Sequence, residues 1–211
     1  MKAIFLVGIL LLVGCSKQDS SNQMTGFEQA NAELNVKETL SSVEQKQKLA
    51  GTYSNNDPAV RLSSLEMVAI LKTLYPTFAL ESMTEKQRFQ MTASDTGKVK
   101  PFQPFHDWVS IKVIYREPNQ NLHHIAVEIY DQASYKESKQ KTFDMCKNIW
   151  KGIDARIPEV IDELSDRIKN YEKSDSLAMT SYTRYGYLFS LDASHYRDGY
   201  PVACNIGYDQ S

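Results

Sequence analysis

The sequence predicts an α+β domain: a four-stranded, mainly antiparallel sheet made of two hairpins and packed on one face against amphipathic helices. Three observations point there. Residues 108–130 alternate apolar and polar side chains on either side of Pro118-Asn119-Gln120-Asn121, which is the period-two signature of a hairpin. Residues 135–171 switch to three- and four-residue apolar spacing, as amphipathic helices do. Residues 179–208 return to alternation and are rich in tyrosine.

Taken in order, the chain opens with MKAIFLVGILLLVGC, where Lys2 precedes an apolar run that reaches Leu12, the layout of a secretory signal peptide. A spanning helix needs about 20 apolar residues, and Ser16-Lys17-Gln18-Asp19 stops this run sooner. Leu12-Val13-Gly14-Cys15 resembles the lipobox of bacterial lipoprotein precursors at every position. The resemblance implies cleavage before Cys15, a diacylglyceryl group on its thiol and acylation of the new amino terminus. Ser16, rather than Asp, implies transfer to the outer membrane. Two or three acyl chains, at about 0.8 kcal/mol per buried methylene, would hold the protein firmly to the bilayer.

The expected organisation is a removed signal peptide over 1–14, a lipidated cysteine with linker and marginal helical stalk over 15–56, and one globular domain over 57–211. Residues 16–26 are rich in Ser, Asn and Gln, a flexible composition. Residues 27–50 are rich in helix formers but carry only a weak apolar stripe. Asp57 and Pro58 then look like the start of a helix running to Tyr75, ended by Pro76. Ser82-Met83-Thr84-Glu85 fits a capping box, so a second short helix is expected there. Lys98 to Asp107 is a loop carrying Phe102 and Phe105.

The hairpin follows, with Val109, Ile111, Val113 and Tyr115 facing Ile125, Val127 and Ile129. A helix is expected over 135–153 and another from Ile157, with a break near Gly152–Pro158 because proline disfavours helical geometry in the residue before it. Residues 179–192 are expected as one strand, paired with 200–208.

With Cys15 committed to lipid, Cys146 on a helix face and Cys204 on a strand face remain. An even pair in an exported chain predicts a disulfide stapling helix to sheet; two buried thiols are the alternative. A net charge of -2 gives no electrostatic reason to expect nucleic acid.

The chain holds no G-x-S-x-G, H-E-x-x-H, Walker loop or paired C-x-x-C, so no catalytic residue, metal or cofactor is assigned. His123 and His124, as strand neighbours, are expected to point to opposite faces. Tyr and Arg concentrate in binding hot spots, so Tyr182, Arg184, Tyr196 and Arg197, together with Phe102 and Phe105, are the candidate partner-binding residues. The expected role is a non-catalytic, periplasm-facing lipoprotein that binds another envelope protein, as an assembly factor or an immunity-type binder. The competing class is an envelope hydrolase or a small-ligand-binding lipoprotein.

Overall fold

Among the described residues seven strands, not four, form the sheet. In order along the chain they are β1 (Phe78–Met83), β2 (Arg88–Ala93), β3 (Trp108–Tyr115), β4 (Leu122–Tyr130), β5 (Met179–Arg184), β6 (Tyr187–Asp192) and β7 (Val202–Tyr208). The computed structural model describes residues 26–83, 87–116, 121–168 and 178–208, with side chains from residue 38. The expected signal peptide and the lipobox with Cys15 lie outside these residues. Spatial order is β1-β2-β3-β4-β7-β6-β5, and every neighbouring pair is antiparallel.

Two corrections explain the count. The expected short helix after Ser82 is instead a strand pair, with Ser82 and Met83 at the end of β1 opposite Phe89 and Arg88. Leu80, Met91, Ile111 and Val127 lie side by side across four strands, so burial on one sheet face overrides local helix propensity. The single strand expected over 179–192 is folded back on itself. Tyr185 and Gly186 both have positive φ, 56° and 74°, as a two-residue type I′ hairpin turn requires. The expected 108–130 hairpin is present as β3 and β4.

Among the described residues there are four α-helices: α1 (Gly26–Leu49), α2 (Ser64–Leu74), α3 (Tyr135–Lys151) and α4 (Ile157–Arg167). α2 starts later than expected. Its cap is Ser63, whose side chain accepts from the Glu66 amide while Glu66 reaches back to the Ser63 amide, a reciprocal capping box. Lys46 of α1 pairs with the same Glu66 at 2.7 Å, and Val43 is buried, so the end of α1 is docked on α2. The interruption between α3 and α4 falls where Gly152 and Pro158 predict it.

The apolar edges of α3 and α4 cover one face of the sheet. Phe143, Ile149, Trp150, Val160, Ile161 and Leu164 meet Ile125, Val127, Phe189, Leu191 and Ile206, all buried. Cys146 and Cys204 join α3 to β7 through a disulfide between residues 58 apart.

Pro58 to Leu62 is not helical, because the sheet holds it in place. The Val60 amide donates to the Tyr187 hydroxyl at 2.7 Å, and the Leu62 amide donates to the Tyr208 hydroxyl at 2.8 Å. Tyr208 donates in turn to the Val60 carbonyl at 2.9 Å. Tyr187 donates to Asp154 at 3.1 Å. Burial pushes both phenols above the ordinary tyrosine range, which keeps them protonated and able to donate.

Candidate functional site

The loop over 94–107 and the segment over 193–201 meet at the end of the sheet where β3 and β7 begin. The contact is close: the Phe105 amide donates to the Gly199 carbonyl at 3.1 Å. Phe105 has φ +62° and Gly199 has φ +82°. A Cβ on Gly199 would lie 2.5 Å from the Phe105 amide nitrogen, so only glycine admits this approach. Phe102 packs edge-on to Trp108, with ring centroids 5.4 Å apart, and lies 5.3 Å from Tyr200. Phe105 and Tyr200 remain 56 % and 47 % exposed, which leaves two aromatic surfaces in water on a backbone that is fixed.

Of the six residues expected from sequence, four come to this end. Phe102 and Phe105 belong to the aromatic junction. Tyr196 and Arg197 lie in a 3-10 turn beside it. Tyr196 turns inward, stacking near Tyr130 and Tyr135 and donating to the Asp131 carbonyl at 2.6 Å, so its ring positions the turn while Arg197 is exposed. Tyr182 and Arg184 are elsewhere, on edge strand β5. Arg184 pairs with Glu163 at 3.1 Å, and the Arg167 guanidinium lies over the Tyr182 ring at 5.6 Å.

A cleft of about 280 Å³ opens beneath the same loop, on the sheet face away from α3 and α4. Its floor is the cross-strand row Glu81, Gln90, Lys112, with Arg88 and Met83 one step along. Phe102, Trp108, Val99 and Pro101 wall it, and Lys100 sits at the rim. Two of its cations are already engaged: Lys112 with Glu128 at 2.5 Å, and Lys100 with Asp95 at 2.9 Å. Sequence reasoning missed Arg88 and Gln90 because the helix expected after Ser82 concealed their alternation, and without that neighbouring strand Lys112 read as an ordinary solvent-facing residue of the expected hairpin. The detectable signal was Phe89 and Met91 alternating with Arg88, Gln90 and Thr92.

His123 and His124 do not point apart as expected. Their Nδ1 atoms are 2.7 Å apart, one ring donating to the other. The cause is a bulge: Ile114 pairs with His124 and Tyr115 with Leu122, so His123 has no partner on β3. A bulged residue breaks strict alternation and brings neighbouring side chains together. Gly207 lies opposite His124, and a Cβ there would meet the His123 carbonyl at 2.6 Å. Burial, then the neighbouring His123, lowers the His124 pKa to about 4. His106 is exposed and its ring bonds the Pro104 carbonyl at 3.0 Å.

Among the described residues, no helix is long and apolar enough to cross a membrane, and no group of three or more His, Cys, Asp or Glu residues is placed to hold a metal ion. No family model matches the chain, and none of the curated proteins or solved structures compared with it matches either.

Proposed function

We propose that this is a lipoprotein tethered through acylated Cys15 to the periplasmic face of the outer membrane, whose domain binds another envelope protein without catalysing a reaction. The aromatic junction between 98–107 and 193–201 is the observation that supports it. Two loops distant in sequence present exposed Phe105 and Tyr200, with Arg197 close by. Rigid aromatic side chains in water supply contact area at little ordering cost, which is what a binding hot spot needs. The type of partner is an envelope component recognised by apolar rings ringed with polar groups, as an assembly factor or immunity-type binder requires.

The test places a photo-crosslinking residue at Phe105 or Tyr200 in intact cells, with Leu188 as an equally exposed control. A discrete protein adduct at the first two positions, lost on Gly199→Ala, supports the interface. Equal or absent crosslinking at all three sinks it. The tether is tested separately: Cys15→Ala should move the protein from the membrane to the soluble fraction, and unchanged retention would refute lipidation.

A further inference from the structure

We propose that the cleft under the 94–107 loop binds a free α-amino acid with an apolar side chain. This goes beyond the protein-binding role: the cleft shares Phe102 with the aromatic junction but takes its polar groups from β1 and β2. Two polar side chains of β2, Arg88 and Gln90, line the cleft. Gln90 is only 5 % exposed and lines the cleft, yet its carboxamide makes no hydrogen bond among the described residues. The Arg88 Nε is buried and has no partner among the described residues. The sealed Arg88 nitrogen and the Gln90 carboxamide, which is not sealed, stand two residues apart on the same face of β2.

A carboxylate answers both. It accepts from a guanidinium through short, charge-assisted bonds and from a carboxamide beside it. Arg88 is the cation left for this, since Lys112 and Lys100 are held by Glu128 and Asp95. Glu81 decides what else the ligand carries. It sits directly across from Gln90 and diagonal to Arg88, and neither it nor Arg88 forms an ion pair among the described residues. A bare carboxylic acid would be repelled by Glu81; a bare amine would be repelled by Arg88. A zwitterion satisfies both charges at once.

The rest of the ligand meets Phe102, Trp108, Met83 and Val99, a wall suited to an aliphatic or aromatic side chain. A volume of about 280 Å³ lies at the small end of ligand sites, enough for one amino acid and too little for a folded peptide segment.

The experiment titrates the intact protein in detergent with L-phenylalanine, N-acetyl-L-phenylalanine and L-phenylalaninamide, following the Trp108 indole and Gln90 carboxamide resonances by NMR. Saturable shifts at both groups with L-phenylalanine are expected, and each blocked compound should bind at least roughly tenfold more weakly, because a site built to bond a group rejects the analogue lacking it. Arg88→Gln should abolish the shifts at unchanged melting temperature. Glu81→Gln, at an exposed position, should erase the preference for L-phenylalanine over its N-acetyl form while leaving carboxylate binding. No saturable shift at Trp108, or binding indifferent to Arg88→Gln and Glu81→Gln, overturns the proposal. Loss of crosslinking at Phe105 with amino-acid binding intact would sink the partner interface and leave this site standing.

Discussion

Arg156 and Arg88 lie against opposite faces of one sheet and are treated in opposite ways. On the helix-covered face, the Arg156 guanidinium donates to both Asp154 oxygens and to the carbonyls of Ser54, Asp57 and Pro58. Its plane lies over Tyr185 at 4.6 Å. Asp154 is fully buried and also accepts from Tyr187. On the other face, among the described residues, the buried Arg88 Nε has no acceptor and the Gln90 carboxamide forms no hydrogen bond. A network closed on itself fixes the fold. One left open in a concave, aromatic-walled place is a site waiting for something the chain does not supply.

The closed network should give way most visibly at Asp154. Asp154→Ala leaves the Arg156 charge buried and uncompensated and should cost about 3–5 kcal/mol, read from urea unfolding. A loss under about 1 kcal/mol, the scale of an exposed pair, would mean that the cluster is no more structural than a surface ion pair. Next in size is the staple on the same face: Cys146→Ala with Cys204→Ala should remove about 2–4 kcal/mol, and unfolding under reducing conditions should then be identical for variant and parent.

The open face should respond less, and to pH. The folded His124 value of about 4 lies below the ordinary 6.5, so the unfolded chain takes up this proton first as pH falls. Stability from this group is full above pH 6.5 and is lost progressively between 6.5 and 4. Because the ring is partly exposed, on the order of 1–2 kcal/mol is expected. His124→Gln should flatten that stretch of the stability curve, and an unchanged curve would refute the assignment. Smallest, and of opposite sign, Gln90→Leu should stabilise the free protein by up to about 1 kcal/mol by removing an unmet polar group. Destabilisation instead would show that the carboxamide is satisfied in the fold.

The helix-covered face was largely legible in the sequence. Ile157, Val160, Ile161 and Leu164 repeat at helical spacing, Val202, Cys204 and Ile206 alternate, and Cys146 shares a helix face with Ile149 and Trp150. Burial writes such patterns strongly. The open face was not. FALESM and RFQMTA are only six residues each and contain Ala, Leu, Glu, Gln and Met, good helix formers all, while Ser82-x-x-Glu85 imitates a cap. Tyr185-Gly186 lacks the Asn or Asp that usually announces a type I′ turn. The His123 bulge is a matter of register between two strands, which neither strand carries alone. Four of the six proposed contact residues proved neighbours because two loops meet through Gly199, a tertiary approach with no local signature.

The segment at Pro58–Leu62 carries a mechanical consequence under the proposed tethering. Drag on an anchored body pulls along the chain from its amino end, through α1 and into α2. Between those helices the segment is clamped to Tyr187 on β6 and Tyr208 on β7, the strand next to the middle of the sheet. Tension is therefore delivered to the stiffest layer of the molecule, close to the Cys204 crosslink, instead of peeling helices away one by one.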